Sequence, residues 1–504
     1  MRVTSHRMET ASPSRKRRRA WHDEVLEDPT GTRRMYKNIA LLSGMWGLGL
    51  GAAFVQISSA SFCLIDNGYG PVSSAPLGII MLLSSPCAIV VPRLADRIGE
   101  RKVFVIASIL GVAGSLVQMA GTLAFRDHGS ASQMAMILAG ASVQGFTYAS
   151  SNNLRFAVAH FSNEEFLPTA TALVLFGGVV SSLFGPLLSN VTRYMIPGAD
   201  YAGNFLQIAL LYFLFGVLAT LTDFEEPVGK RSKGEGDEVD RALGMLLDDS
   251  GYRRMEDNDD NDDESYIEFG ARPLSEILIK TDLPLLTLFQ CLSYNIMALY
   301  MSQVPLPLDA LGYTPNEGTL VITAHMLGMF VPGLVSGRVI GRVGIWAGTS
   351  AGFLVSILGG GVMLVNDSLA LFFVGMTLVG VGWNLSFVGP SALVSTIYTP
   401  KERADVIGFN DGVMLLTIGI FALTGSQIYK AINSWHIFIY TLIGMSALSA
   451  FAAVAAGFRT ARRARQKMSA AGDRTREGDA ADSIDQFEDS LEGSLDHITQ
   501  AASI

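Results

Sequence analysis

Long apolar stretches alternate with short polar ones over most of this chain. Six apolar stretches precede residue 223 and six follow residue 283, and each is close to or above the roughly 20 residues that a helix needs to cross a bilayer. The pattern therefore predicts an all-α, multi-pass membrane protein with twelve transmembrane helices. The predicted segments cover residues 38–63, 70–92, 103–125, 133–156, 168–191, 202–222, 284–310, 318–338, 346–365, 369–396, 404–429 and 436–458.

Polar residues divide the chain into five parts. The stretch between the two sets of segments contains the acidic run 256–264, which cannot bury a core and is expected to be disordered. Near its end, Leu274–Ile279 is a candidate for a short interfacial helix. The predicted domains are a basic tail (1–37), a six-helix bundle (38–223), an acidic linker (224–283), a second six-helix bundle (284–458) and a polar tail (459–504).

The loop Pro92–Lys102 sets the predicted orientation. It carries four cations between two apolar segments, and short loops rich in Lys and Arg stay on the cytoplasmic side. Both termini are then cytoplasmic. The basic run 15–19 could also indicate a nuclear or nucleic-acid-binding patch, but we favour a cytoplasmic tail that contacts anionic lipid. No nucleic-acid partner is expected, and the sequence leaves open which membrane holds the protein.

Composition supports the membrane assignment. The chain of 504 residues is 49% hydrophobic and only 16% charged, which excludes an ordinary soluble protein. Its three cysteines lie in or beside apolar segments, so no disulfide framework is predicted. There is no nucleophile elbow, phosphate-binding loop or His/Cys cluster. We therefore expect no enzymatic activity, no cofactor and no metal site.

The two halves also resemble each other. Residues 162–165 and 399–402 precede the fifth and eleventh segments, and both have the Ser/Thr-x-x-Glu pattern of a capping box, which satisfies free N–H groups at a helix start. Residues 337–344 repeat the Gly and Arg spacing of the loop Pro92–Lys102. Two parallel six-helix repeats are an architecture of secondary transporters.

The motif in Leu94–Lys102 resembles the loop motif between helices two and three of the major facilitator superfamily, and the resemblance extends over residues 38–458. It implies the twelve-helix fold of that superfamily and a transport function. Two departures are Pro92, where the family usually has Gly, and Ala141, where an Arg normally lies three residues before the Gln of the fourth helix. Gly177 and Gly185 match only part of the antiporter motif, so antiport stays open.

The resemblance also implies a role for the loop. Asp96 is expected to lie against the cytoplasmic N-terminus of the eleventh helix, where the helix dipole favours an anion. Gly99 belongs to the same motif, and Arg97, Arg101 and Lys102 can pair with acids or lipid headgroups. These five residues would act as a conformational latch that favours the outward-open state. The alternative is a solvated loop that only enforces topology.

Few ionisable residues lie inside the predicted segments. His325 is about 10 Å into the eighth segment from its outer end, and Asp411 is about as far into the eleventh from its inner end. Both are candidates for proton coupling, because His titrates near neutral pH and burial raises the pKa of a carboxyl group. Alternatively, each is simply hydrogen-bonded between helices. Arg155, near the cytoplasmic end of the fourth segment, is expected to have a structural or lipid-facing role.

Candidate cavity residues follow from the resemblance, because helices one, four, seven and ten line the central cavity in the superfamily. Aromatic rings with amides suit an uncharged or zwitterionic organic solute, although the same residues can instead bridge helices. The candidates are Trp46, Gln56, Gln144, Tyr148, Asn152, Tyr294, Asn295, Trp383 and Asn384.

The leading functional hypothesis is secondary active transport of a small organic solute by alternating access, with protons as a candidate coupling ion. The expected partners are that solute and the lipid bilayer. A hypothesis of a different class is a nutrient sensor or scaffold on a transporter fold, which signals through its linker and tails. A multi-pass membrane enzyme would need a catalytic cluster that the sequence does not contain.

Overall fold

The computed structural model describes residues 29–125, 130–162, 167–224, 271–463 and 466. Nearly all of them are helical, and none of these residues lies in a strand. The first half contains α1 (Pro29–Asp66), α2 (Ala75–Ile98), α3 (Glu100–Ala124), α4 (Ala131–Ala157), α5 (Leu167–Thr192) and α6 (Ala202–Leu221). The second contains α7 (Leu274–Lys280), α8 (Leu283–Gln303), α9 (Pro305–Ala310), α10 (Pro315–Phe330), α11 (Gly333–Val343), α12 (Ile345–Met363), α13 (Leu369–Val394), α14 (Arg403–Ile432) and α15 (Trp435–Arg463).

Each predicted segment corresponds to one helix or to a pair of consecutive helices. Within the described ranges, ten helices are long and apolar enough to cross a membrane, and the pair α10–α11, bent by 45°, makes eleven if it is counted as one span. The remaining predicted segment corresponds to α4, a helix of 27 residues that is not among these spans. Its serines, asparagines and glutamines reduce its hydropathy. The multi-pass helical fold is confirmed, and the count of twelve spans depends on α4.

Some boundaries differ from the prediction. Helix α1 begins at Pro29, inside the stretch predicted as a tail, and a short helix is present at Leu274–Lys280 as expected. Its Ile277 is buried against the starts of α8 and α14. Most of both predicted tails, most of the acidic linker, and the first capping box except for Ser162 lie outside the described residues.

The halves meet along two helix pairs, α2 with α14 and α5 with α10. Small residues allow the close approach of α2 and α14. A Cβ atom at Gly78 would lie 2.7 Å from the backbone nitrogen of Leu423, and one at Gly419 would lie 2.6 Å from that of Leu82. Neither glycine could be replaced without moving the helices apart.

The turns that follow α2 and α11 have the same backbone conformation. Gly99 has φ 90° and ψ 144°, Gly344 has φ 90° and ψ 152°, and each residue is the only one between two helices. L-residues rarely adopt a positive φ of this size, so glycine is required at both places. The equivalence supports the internal repeat predicted from the sequence. We call the end of the bundle at Gly99 the basic end, and the other the opposite end.

Candidate functional site

A small cavity of about 30 Å³ lies between the two halves. This is about the share of liquid volume taken by one water molecule, so the chain is closed around its centre. The cavity is lined by α1, α2, α4, α8, α10 and α14, through Leu50, Ala53, Phe54, Ile57, Leu77, Met81, Tyr148, Tyr294, Met297, Ala298, Met301, Met329, Phe330 and Ile418.

Two of the predicted cavity residues line it from opposite halves. The hydroxyl oxygens of Tyr148 and Tyr294 are 3.5 Å apart. Tyr294 packs edge-on against Trp383, with ring centroids 5.4 Å apart, and Trp383 stacks on Phe387 at 4.9 Å. Tyr294 therefore connects the lining of the cavity to an aromatic cluster that lies behind it.

Trp46 and Gln56 are buried in α1. Neither the indole N–H of Trp46 nor either amide atom of Gln56 has a hydrogen-bond partner among the described residues. A buried polar group without a partner costs free energy, and neither residue is among those that line the cavity. Their predicted role in the cavity remains a prediction.

Two predicted cavity residues on α4 make hydrogen bonds to protein groups. The amide of Gln144 donates to Ser115 and Gln118 on α3, each at 3.0 Å. Asn152 donates to the carbonyl of Tyr148, one turn earlier in the same helix. Gln144 therefore bridges helices, the alternative considered for these residues.

The two amides predicted in the second half also bridge helices. Asn295 donates to the hydroxyl of Thr417 on α14 at 2.9 Å. Asn384 donates to the carbonyl of Met329 at 2.8 Å, beside the bend between α10 and α11. Pro332 lacks an N–H and interrupts the helical ladder at this bend, and Asn384 joins α13 to the backbone beside it.

A buried ion pair joins the halves on the basic side of the cavity. A guanidinium nitrogen of Arg155 in α4 lies 2.6 Å from a carboxylate oxygen of Asp411 in α14, and their side chains are 14% and 7% exposed. The amide of Asn410 donates to the same carboxylate, and its oxygen accepts from Gln290 and Thr287. Arg155 thus has a structural partner inside the protein and does not face lipid.

Arg93, just before the loop motif, makes a contact between the halves. Arg93 donates to Asp405, in the first turn of α14, at 2.6 Å. Asp96 is exposed at the end of α2. Its predicted contact with the start of α14 remains a prediction.

The other members of the motif lie at the surface of the basic end. Arg97, Arg101 and Lys102 are exposed, and Gly99 is buried. Arg101 donates to the carbonyl of Thr222, just after α6. This bond ties the loop to its own half.

At the opposite end the halves are joined by Arg193, which is fully buried. It follows α5 and donates to Asn316 at 2.7 Å and to Thr319 at 3.1 Å, both on α10. The guanidinium also lies 5.1 Å from the ring centroid of Tyr201 and 5.8 Å from that of Phe62, within the range of cation–π attraction. This contact was not predicted from the sequence. The available indication was the presence of Tyr194 and Tyr201 close to Arg193 in the chain.

A second contact at the opposite end links α2 and α14. The hydroxyls of Ser74 and Ser426 are 2.6 Å apart, and Ser74 also donates to the carbonyl of Ala422. Both ends of the α2–α14 interface are therefore held by polar contacts.

His325 is fully buried in α10. Its Nδ1 lies 2.7 Å from the carbonyl oxygen of Met376. A carbonyl oxygen only accepts, so Nδ1 carries the proton and Nε2 carries a lone pair. No described residue bonds to Nε2. Its role in proton coupling remains a prediction.

An ion pair that was not predicted from the sequence fixes the last part of the predicted linker. Arg272 donates to both carboxylate oxygens of Glu402, at 2.8 Å each. Glu402 also completes the capping box with Thr399 predicted at the start of the eleventh segment. The hydrogen bonds from Arg272 lower the pKa of Glu402 to about 2, so this carboxylate stays ionised at all physiological pH values.

Comparisons with known proteins agree with this architecture. The chain is 27% identical over 427 residues to the riboflavin transporter RfnT of Brucella anthropi, covering 82% of this chain and 94% of that protein. It is 21% identical over 406 residues to the uncharacterized MFS-type transporter YddS of Bacillus subtilis, covering 79% and 86%.

Solved structures share the fold at low identity. A D-xylose–proton symporter has a TM-score of 0.61 at 12% identity, covering 82% of this chain and 96% of its own. The human organic anion transporter MFSD10 has a TM-score of 0.60 at 14% identity, covering 83% and 99%. The sequence profile of the Major Facilitator Superfamily matches residues 41–281 and 285–481. The chain therefore belongs to the major facilitator superfamily, whose members named here are transporters.

Proposed function

We propose that the protein carries a small, uncharged, ring-containing organic solute across a membrane by alternating access, and that riboflavin is the first candidate. The observation that carries this proposal is the aromatic cluster of Tyr294, Trp383 and Phe387 beside the inter-half cavity. Flat aromatic faces bind a flat ring system, and a few polar groups orient it.

The contacts between the halves support alternating access. Arg155–Asp411 and Arg93–Asp405 join them on the basic side, and Arg193 joins them at the opposite end. The cavity is closed from both sides and too small for a flavin, so a solute must enter after one set of contacts has opened. In the proposed cycle, this closed form would be the occluded step between the two open states.

The relative that transports riboflavin supports the choice of solute. It is aligned over most of both chains, and an isoalloxazine ring has both the apolar faces and the polar edge that the site would bind. Tyr148 and Tyr294 offer hydroxyls to such an edge. Their oxygens are 3.5 Å apart, a weak hydrogen bond that a solute can replace at little cost.

We further propose that a proton couples at Asp411. A protonated Asp411 would lose its charge attraction to Arg155, and the basic end could then open. Asp411 is better placed than His325 for this role, because its partner belongs to the other half. The orientation proposed from the loop charges would make the basic end cytoplasmic.

The test is riboflavin flux in proteoliposomes, with and without an inward proton gradient. We expect gradient-driven flux in the wild type and loss of gradient dependence in Asp411→Asn. Trp383→Leu should abolish flux. Trp435→Leu is its matched control, since Trp435 is similarly buried and stacked, against Phe438, but lies away from the cavity.

Equal loss of flux in both tryptophan variants would contradict the aromatic site. Riboflavin binding without flux under any gradient would favour the alternative of a nutrient sensor. Flux of another ring-containing solute in place of riboflavin would support the proposed transport function and change the proposed substrate.

A further inference from the structure

We propose that the inter-half cavity also binds a soft monovalent metal cation, Cu(I) or its analogue Ag(I), through methionine sulfur atoms. This goes beyond the proposed function, because it gives the cavity an inorganic solute of a different chemical class. The metal would be bound and released unchanged in oxidation state, so no redox step is involved.

Four methionines converge on the cavity. Met297 and Met301 are one turn apart on α8, Met329 is on α10, and Met81 is on α2. All four are at most 5% exposed. Three helices from both halves thus place four methionines around a space of about 30 Å³.

The chemistry of this wall favours a soft ion. Thioether sulfur is a neutral, polarisable ligand that selects Cu(I) over hard cations such as Mg²⁺ or Ca²⁺, which require oxygen ligands. No cluster of three or more His, Cys or carboxylate groups occurs in the described part of the chain, so a metal site here has to use methionine. The ring faces of Tyr294 and Phe330 also line the cavity and attract a cation.

The size of the cavity separates the two classes of solute. In this closed form it has room for one dehydrated ion and excludes a ring system. Ordinary packing would also place methionines in a core, because they fill irregular gaps. Packing alone would not require that the methionines of several helices surround one void.

His325 is an independent indication of a metal ligand. It lies four residues before Met329 on the same face of α10, is fully buried, and has a free Nε2 lone pair. Its Nδ1 donates to the backbone carbonyl of Met376. Metal-binding histidines in proteins are oriented by this type of hydrogen bond, which fixes the tautomer. We include His325 in the proposal as a further ligand, one helical turn before Met329.

The arrangement also provides a way to release the ion. Met81 belongs to the first half and the other three methionines to the second. Movement of one half against the other would remove one ligand from the ion and weaken its binding. The ligand count would then change between the closed and open states.

The experiment uses the purified full-length protein. Equilibrium dialysis with Ag(I), followed by elemental analysis, measures stoichiometry, and X-ray absorption on the anaerobic Cu(I) form identifies the ligands. We expect about one ion per chain with sulfur in its first shell, as soft-metal preference predicts. Met297→Leu with Met301→Leu, and separately His325→Gln, should each reduce affinity at least as much as loss of an outer-shell partner does, about 10- to 100-fold.

Leucine has nearly the volume of methionine, so these changes should preserve packing. The matched control is Met363→Leu, because Met363 is fully buried in α12 away from the cavity; it should bind like the wild type. Binding that is absent from the wild type, or equally weakened in the control, would overturn the proposal. A first coordination shell that contains only oxygen or nitrogen would also overturn the proposal.

Riboflavin flux in the same variants separates this inference from the proposed function. Loss of Ag(I) binding with normal riboflavin flux would support the metal site and leave the organic solute unaffected. Absence of riboflavin flux in the wild type, together with methionine-dependent Ag(I) binding, would refute only the organic substrate.

Discussion

Breaking the Arg155–Asp411 pair should open the basic end, and removing both charges together should largely undo that effect. The perturbations are Arg155→Met, Asp411→Leu and the double variant. Each single variant leaves one charge buried without its partner in the closed form. The double variant leaves neither.

The structure sets the expected magnitude. At the observed 2.6 Å and an effective dielectric constant of about 20, two unit charges attract by about 6 kcal/mol. Desolvation offsets most of this, so the intact pair adds little net stability, whereas loss of one partner costs about 3–5 kcal/mol. Because about 1.4 kcal/mol is a factor of ten, each single variant should shift the closed-to-open ratio by a factor of roughly 100 or more.

The assay is a distance measurement between spin labels at Thr220 and Ser395, in a cysteine-free background. Both positions are exposed at the basic end, on α6 and at the end of α13. Each single variant should lengthen the main distance, and the double variant should restore most of the short one. The exposed pair Arg93–Asp405 is the matched control, because its side chains are 57% and 48% exposed and such pairs contribute only about 0–1 kcal/mol.

Additive effects would refute this reasoning. If the double variant opened as far as the sum of the two single variants, the charges would not be coupled. An unchanged distance in both single variants would show that other contacts hold the basic end closed.

Three further predictions concern other contacts. Glu402→Gln should lower the thermal midpoint, because charged hydrogen bonds of the kind that Arg272 makes contribute about 1.5–3 kcal/mol. The depressed pKa of Glu402, about 2, means that the difference from wild type should be constant above about pH 5 and disappear as the pH falls toward 2; a difference that grows in acid would contradict this. Gly99→Ala should destabilise the folded chain by about 1–3 kcal/mol because of its positive φ, measured as a lower thermal midpoint, whereas Gly361→Ala has open space and should not. Arg193→Lys should favour opening at the opposite end, measured by labels placed there, because an ammonium cannot reproduce the forked contacts.

Features that depend on local sequence could be predicted. The length of the apolar segments predicted the helices, and the spacing of Thr399 and Glu402 predicted the capping box. The repeated glycine spacing indicated that the turns at Gly99 and Gly344 are equivalent. Each of these is decided by residues close together in the chain. Secondary structure and repeat symmetry can therefore be predicted from a single sequence.

Features that depend on distant partners could not be predicted. Arg155 and Asp411 are 256 positions apart, and either residue alone is compatible with a lipid-facing, structural or functional role. The amides of Gln144 and Asn384 were assigned to the correct helices, but helix assignment does not say which neighbour a side chain will contact. Pro332 is a sequence signal for a bend, since proline interrupts a helix, but the segment 318–338 was predicted without one.

The bend between α10 and α11 separates two helices that have different surroundings. Helix α10 packs along α5 and is fixed at the opposite end by Arg193, whereas a Cβ atom at Gly337 or Gly341 in α11 would meet nothing within 4 Å. The eighth segment thus consists of two helices with a bend between them, and Asn384 contacts the backbone beside this bend. We therefore expect α11 to move more readily than α10 when the two halves move relative to each other. The two repeats share the turn at Gly99 and Gly344, and only the second has this bend among the described residues.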